Sequence, residues 1–192
     1  VRALDLCASP GGKSTLLTNI LPEGSVLVSN EVIHHRANIL AENMIKWGYP
    51  TGIVTEADPD RLKSAGETFD FILVDAPCSG EGMFRKDEAA RSEWSLQNVE
   101  LCARRQQRIL SAAWEMLQPG GLLAYSTCTF NTLENEDNLA FLINTFGAEP
   151  VALDVLTEWQ IAPQLKGEAP AYRFFPHKVA GEGFFFCLVR KP

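Results

Sequence analysis

Short apolar runs alternate with amphipathic stretches along the chain, and this alternation predicts a fold. Five apolar runs predict buried strands, at residues 3–7, 25–29, 52–55, 69–75 and 122–126. Between them, apolar positions at helical spacing predict helices, at residues 13–20, 34–47, 96–117 and 134–146. Because strands that alternate with helices form parallel sheets, we expect an α/β fold with helices on both faces of the sheet.

The remaining segments complete this picture. Residues 150–153 and 183–190 each predict a strand, and no long helix separates them. Strands without a crossover helix between them pair antiparallel, so we expect a closing hairpin. The pattern therefore predicts a seven-stranded, mostly parallel sheet with an antiparallel last strand. Residues 76–93 predict a loop.

Length, composition and charge limit the class of protein. The chain has 192 residues, 46% hydrophobic and 21% charged, which suits one domain with a proper core. No apolar run approaches the roughly 18 residues that span a bilayer. The net charge of -7 is unusual for a self-sufficient nucleic-acid binder, which carries excess Lys and Arg. The chain lacks an initiator Met and begins at a core strand, so we expect a piece of a longer protein.

The five cysteines predict free thiols. Their number is odd, their spacings are wide, and no CxxC pair occurs, so neither a zinc site, nor any other metal site, nor a disulfide framework is predicted. Free thiols suit a reducing cytoplasm. Cys102 and Cys187 lie within a predicted helix and strand, where a cysteine is usually a small core residue. Cys78 and Cys128 lie instead in loops at the ends of neighbouring strands, which favours a functional reading.

Polar or reactive residues follow all five predicted parallel strands. Ligands of open α/β sheets bind beyond the carboxyl ends of the strands. The first strand leads into residues 7–13, and the others lead to Glu31, Asp58, Asp75 and Ser126. We therefore expect a binding site at this edge of the sheet.

The first of these loops resembles a phosphate-binding loop without matching one. Gly12, Lys13 and Ser14 imitate its end, but Cys7 stands where the motif needs glycine, so nucleotide hydrolysis is a weak alternative. A Gly-rich turn at a helix start remains, which lets a ligand approach the backbone. Glu31 follows about 20 residues later, where a carboxylate suits a ribose diol. Taken alone, Glu31 and Asp58 are best interpreted as solvated acids at strand ends. Together with the Gly-rich turn, they favour a site for a nucleoside-containing cofactor.

Three motifs in order carry a family resemblance that covers essentially the whole chain. They are Cys-Ala-Ser-Pro-Gly-Gly-Lys at residues 7–13, Asp-Ala-Pro-Cys at 75–78 and Ser-Thr-Cys-Thr at 126–129, the last followed by Glu-Asn-Glu at 134–136. They resemble the motifs of the Nop/Sun (Fmu/Sun) family of RNA cytosine-C5 methyltransferases. The segments at residues 173–177 and 183–185 are similar to the family's closing segment.

The resemblance implies a Rossmann-like methyltransferase fold, S-adenosylmethionine as cofactor and RNA as substrate. It implies that Cys128 is the nucleophile and that Cys78 assists release of the base from the enzyme. It also implies that Asp75 hydrogen-bonds the base and that Lys13 lies near the cofactor and the base. The residues implied for the cofactor are Cys7, Ala8, Ser9, Pro10, Gly11, Gly12, Lys13, Glu31, Arg36, Asp58 and Asp75. An RNA-binding portion precedes the cofactor loop in this family, and some members carry a further RNA-binding domain after the catalytic one. Because the sequence starts at the first strand, we expect a fragment without these portions, which matches the acidic charge.

The substrate is less closely determined than the chemistry. Residues 80–87 are similar to the branch that acts on bacterial small-subunit ribosomal RNA, and a tRNA substrate is the alternative. The loop around Phe84, Arg85 and Lys86 is either an RNA contact or a plain surface loop. A cofactor-binding assembly factor without turnover and a methyltransferase for a small molecule or protein are further alternatives. We expect a cytoplasmic monomer that is one catalytic domain over residues 1–192.

Overall fold

A nine-stranded mixed sheet runs through the protein, and the computed structural model describes every residue from 1 to 192. The strands are β1 (Arg2–Asp5), β2 (Val26–Asn30), β3 (Gly52–Thr55), β4 (Phe69–Asp75), β5 (Leu117–Thr127), β6 (Glu149–Pro150), β7 (Ala162–Pro163), β8 (Tyr172–Phe174) and β9 (Phe184–Arg190). The helices are α1 (Gly12–Ile20), α2 (His34–Trp47), α3 (Pro59–Lys63), α4 (Glu88–Glu93), α5 (Leu96–Met116) and α6 (Glu136–Phe146).

The order of the strands creates a crevice at one edge of the sheet. The order is β3-β2-β1-β4-β5-β9-β8-β7, and β6 lies beside β9. Strands β1 to β5 pair in parallel, whereas β6 to β9 pair antiparallel. The chain adds β2 and β3 on one side of β1, and then β4 and β5 on the other. Such a reversal of direction opens a ligand crevice between the carboxyl ends of the two central strands.

Helices cover both faces of the sheet, as the alternation of apolar runs predicts. Successive side chains of a strand point to opposite faces. Leu4 packs in the larger core with Leu110 of α5, and its neighbour Ala3 packs in the smaller core with Leu17 of α1. The parallel strands are therefore apolar on both faces, and their polar residues are confined to the strand ends.

The antiparallel part of the sheet is larger than the sequence pattern predicts. The sheet has nine strands rather than seven, because β7 and β8 are too short to leave a recognisable apolar run. The strand predicted at residues 150–153 is reduced to Glu149–Pro150, which pairs with β9. The closing strands are thus a small antiparallel sheet rather than one hairpin.

Two short helices lie where the pattern predicts none. Helix α3 begins after Asp58, whose carboxylate accepts a hydrogen bond from the amide of Asp60 at 3.0 Å. Helix α4 and a 3₁₀ turn at Glu81–Met83 lie within the predicted loop. None of the helices combines the length and apolar character needed to cross a membrane.

Asp5 ends β1 with a fully buried side chain. Ser14 donates to its Oδ2 atom at 2.7 Å, whereas Oδ1 has no hydrogen-bond partner. Burial, with a smaller contribution from the charge of Asp75, raises the pKa of Asp5 from 3.8 to about 7. The folded protein therefore holds a proton on Asp5 between about pH 4 and pH 7 that the unfolded chain has lost.

This proton makes the effect of Asp5→Asn depend on pH. Because the native state binds more protons in that window, the contribution of Asp5 to the free energy of unfolding falls as the pH rises through it and is constant above it. About three pKa units correspond to about 4 kcal/mol. We expect the stability of Asp5→Asn relative to the native protein to rise by up to about 4 kcal/mol between pH 4 and pH 8 in urea unfolding. A difference independent of pH would contradict the buried, protonated Asp5.

Candidate active site

A cavity of about 490 Å³ occupies the crevice beyond the carboxyl ends of the parallel strands. Five of the polar residues that follow these strands line it, namely Cys7, Glu31, Asp58, Asp75 and Cys128. A larger cavity of about 770 Å³ lies against β8 and β9, but its walls are apolar apart from Asp154 and contain no thiol. The reactive groups therefore belong to the smaller cavity.

Cys78 and Cys128 meet at the edge of this cavity. Their Sγ atoms are 3.2 Å apart, although the residues are 50 positions apart in the chain, and both are free and half-buried. The hydrogen bond from Cys78 lowers the pKa of Cys128, and Lys13 lowers it further. The same contact raises the pKa of Cys78 well above its ordinary value. The pair thus favours a thiolate on Cys128 and a thiol on Cys78.

Asp75 lies beside this pair, held from two sides. Lys13 donates to its Oδ2 atom at 2.7 Å, and Ser126 donates to its Oδ1 atom at 2.7 Å. The ammonium group of Lys13 also lies 5.3 Å from the centre of the Phe184 ring. Asp75, Lys13 and Cys128 come from three different strand–loop junctions, so only the folded sheet brings them together.

The far end of the cavity carries two carboxylates held by arginines. Glu31 is buried, accepts a hydrogen bond from the amide of Ile33 at 3.0 Å and lies 3.3 Å from Arg36. Arg108 of α5 forms a two-pronged ion pair with Asp58, at 2.9 and 3.2 Å. The hydrogen bond from Arg108 is the main cause that lowers the pKa of Asp58, so both oxygens stay charged acceptors.

The loop after β1 divides between two surfaces. Cys7 and Ser9 line the cavity, whereas Pro10, Gly11 and Gly12 line a separate cavity of about 380 Å³ against α2. Ala8 is buried beneath the loop. The Gly11 backbone has φ +111°, a conformation that favours glycine, and it turns the chain into α1. The assignment of residues 10–12 to the cofactor therefore remains a prediction, and these residues shape the loop around it.

Comparison with known proteins decides the family. The sequence model of the family described as 16S rRNA methyltransferase RsmB/F matches residues 2–190. This chain belongs to the RsmB/F family. The match confirms the resemblance to Nop/Sun methyltransferases carried by the three motifs.

Relatives of this RsmB/F-family chain act on more than one RNA. It is 37% identical over 194 residues to ribosomal RNA small subunit methyltransferase F of Serratia proteamaculans, covering 99% of this chain and 40% of that protein. It is 35% identical over 196 residues to tRNA (cytosine(49)-C(5))-methyltransferase of Pyrococcus abyssi, covering 98% and 63%. The crystal structure of NSun6 from Pyrococcus horikoshii with SFG superposes with a TM-score of 0.86 and 31% identity, covering 98% and 47%. The chain thus spans about half the length of such relatives.

Several residues of the RsmB/F-family site escape prediction from sequence. Arg105, Arg108 and Ile109 of α5 line the cavity, as do Val32 and Pro59. The arginines stand out as a basic patch in the sequence, but nothing there shows that α5 faces the cavity. No group of three or more His, Cys, Asp or Glu side chains is placed to hold a metal ion.

The loop after Cys78 packs against the loop of Cys128. The amide of Gly82 donates to the carbonyl oxygen of Cys128 at 2.9 Å, and a Cβ at position 82 would lie 2.6 Å from that oxygen. Arg85 donates to the carbonyl oxygen of Gly181 at 2.8 Å, and Lys86 lies 3.4 Å from Glu182. Both basic side chains therefore contact an exposed neighbouring loop.

Proposed function

We propose that this chain is the catalytic domain of an S-adenosylmethionine-dependent methyltransferase that acts on C5 of cytosine in RNA. The observation that carries the proposal is the contact of two free thiols, Cys78 and Cys128, 3.2 Å apart beside Asp75 and Lys13. The relatives named as ribosomal RNA and tRNA methyltransferases support the same reaction.

The cavity fits the proposed cofactor. Glu31 and Asp58 offer charged oxygens to the ribose hydroxyls and to the adenine amino group, and Ile33 and Pro59 offer apolar walls to the base. Cys7, Ser9 and Arg36 would complete its contacts, and Asp75 lies at the end nearest the cysteines. When bound, the cofactor supplies an electrophilic methyl group.

Cys128 performs the first step of the proposed reaction. C5 of cytosine is a poor nucleophile, and addition of a thiolate to C6 makes C5 enamine-like. The lowered pKa of Cys128, which follows first from its hydrogen bond with Cys78, favours the thiolate that this step needs. Asp75 would hydrogen-bond the base near N3, and the ammonium group of Lys13, which donates to Asp75 at 2.7 Å, offsets the negative charge that develops on the ring.

Cys78 acts at the end of the reaction. C5 carries both the methyl group and its proton after transfer. Loss of that proton to solvent returns its electron pair to the ring and breaks the bond between C6 and the Cys128 sulfur, which leaves as a thiolate. Cys78 lies 3.2 Å from that sulfur, close enough for its thiol to donate a hydrogen bond to the departing thiolate.

Small-subunit ribosomal RNA is the substrate that we propose, for a monomeric enzyme in a reducing cytoplasm. The family description and the similarity of residues 80–87 to the ribosomal branch support it. The test uses the full-length protein and cytosine tritiated at C5, in ribosomal RNA and in tRNA transcripts. Donor-dependent tritium release from ribosomal RNA is expected. Tritium release from tRNA alone would show that tRNA is the substrate. Binding of the methyl donor without tritium release from either RNA would favour an assembly factor.

Glu31→Ala is expected to weaken binding of the methyl donor about 10- to 100-fold in calorimetry. Loss of one hydrogen bond to a charged acceptor costs about 1.5–3 kcal/mol, which corresponds to about 10- to 100-fold in affinity. Glu56→Ala is the matched control, because Glu56 follows β3 but is exposed and pairs with His34. Equal affinities for the two variants would remove Glu31 from the cofactor site.

A further inference from the structure

The carboxyl group of Glu134 lies between the two loops that carry the reactive cysteines. Its side chain is fully buried. Its Oε2 atom accepts from the amide of Ser79 at 3.0 Å, directly after Cys78, and its Oε1 atom accepts from Nδ2 of Asn131 at 2.7 Å, shortly after Cys128. One carboxylate thus connects the loop after β4 to the loop after β5.

Helix α5 fastens the same loop on the other side of Cys78. Nε2 of Gln106 donates to Oε2 of Glu134 at 2.8 Å and to the carbonyl oxygen of Pro77 at 3.0 Å. Asn138 donates to Oε1 of Gln106 at 2.8 Å, which fixes the orientation of its amide. The backbone is therefore linked to the Glu134 carboxylate on both sides of Cys78, directly at Ser79 and through Gln106 at Pro77.

Burying the carboxylate of Glu134 would destabilise the fold if this residue only filled the core. Glu136, two positions later, is paired with the buried Arg173. Glu134 has no cation within ion-pair distance, and its partners are a backbone amide, a hydroxyl and two side-chain amides. A buried carboxylate without a cation is destabilising compared with an apolar side chain. A carboxylate can accept all four hydrogen bonds, whereas a glutamine has only one acceptor oxygen.

We propose that Glu134 is a positioning residue for methyl transfer, whose carboxylate holds Cys78 against Cys128 so that both thiols reach the same base. The proposal rests on the proposed function for its catalytic consequence, but the separation of the thiols can be tested without RNA. The hydrogen bond with Cys128 is the main influence that raises the pKa of Cys78, and the negative charge of Glu134 adds to it. Glu134 therefore also helps to keep the proton on Cys78.

Disulfide formation by hydrogen peroxide measures the contact directly. The two thiols lose two protons and two electrons, one S–S bond forms, and the peroxide is reduced to two water molecules. In the native protein we expect a disulfide between Cys78 and Cys128, identified by peptide mass. Its rate of formation is expected to fall at least about 10-fold in Glu134→Ala and less in Glu134→Gln, which keeps part of the hydrogen bonding.

A second measurement separates positioning from general stability. In Glu134→Ala we expect tritium release to fall about 10- to 100-fold, while Cys128 still forms an adduct with RNA containing 5-fluorocytosine. Leu142→Ala is the control, because Leu142 is buried in α6, which begins two residues after Glu134, and its side chain has no polar contact with either loop. It should lower the melting temperature without changing the ratio of adduct to turnover.

The outcomes distinguish the two proposals. If Glu134→Ala forms the disulfide and releases tritium at native rates, the positioning role is overturned. It is also overturned if Leu142→Ala slows disulfide formation and tritium release as much as Glu134→Ala does. If the disulfide slows in Glu134→Ala but the native full-length protein releases no tritium from any RNA, the positioning of the thiols stands and the proposed function fails.

Discussion

Cys128→Ala is expected to lower methyl transfer by about 10⁴-fold or more, because in the proposed reaction the thiolate of Cys128 makes C5 of cytosine nucleophilic. The variant should still bind the methyl donor with nearly native affinity, since Glu31, Asp58 and the loop after β1 remain. The expected result is a loss of rate rather than of binding. On the same preparation, tritium release measures the rate of methyl transfer and calorimetry measures the affinity for the methyl donor.

Trapping gives a second readout for Cys128. RNA with 5-fluorocytosine keeps the bond between sulfur and C6, because fluorine at C5 cannot leave as the proton does. The native protein should give an adduct on a denaturing gel, and Cys128→Ala should give none. Cys102→Ala is the control, since Cys102 is buried in α5 outside the cavity and should trap normally. An adduct that persists in Cys128→Ala would show that another residue is the nucleophile.

Cys78→Ala is expected to stop the reaction at its last step. With ordinary cytosine RNA and the methyl donor, a covalent complex should accumulate, and turnover should fall at least about 100-fold. The substitution also removes the hydrogen bond that lowers the pKa of Cys128. Formation of the adduct should therefore be slower at pH 7 than at pH 8.5, whereas the native protein should show a smaller difference. A gel-shift time course at the two pH values measures both effects.

The opposite result has a definite meaning. DNA cytosine methyltransferases use a nucleophile that follows a proline after the fourth strand, which is the place of Cys78 here. If Cys78→Ala loses turnover without any adduct while Cys128→Ala retains turnover, the two roles are exchanged. The structure favours Cys128, because the hydrogen bond from Cys78 and the nearby Lys13 lower its pKa.

The parallel core of the fold follows from local properties of the sequence. Each parallel strand is an apolar run bounded by polar residues, and the helices between them have apolar positions at helical spacing. These patterns depend only on neighbouring residues, so the strands and helices that they predict are found in the structure. The small strands β7 and β8 could not be predicted, because β8 is held by pairing with β9 and β7 by pairing with β8, rather than by their own apolar pattern.

The sequence by itself determined the motifs, and thereby the family and the candidate residues of the site. It could place Cys78 and Cys128 after neighbouring strands, because strand ends are readable in an α/β pattern. Only the tertiary structure decided that their sulfur atoms touch, that Arg108 of α5 holds Asp58, and that Glu134 joins the two cysteine loops. These contacts join residues far apart in the chain through side-chain geometry, which depends on how sheet and helices pack and leaves no local pattern.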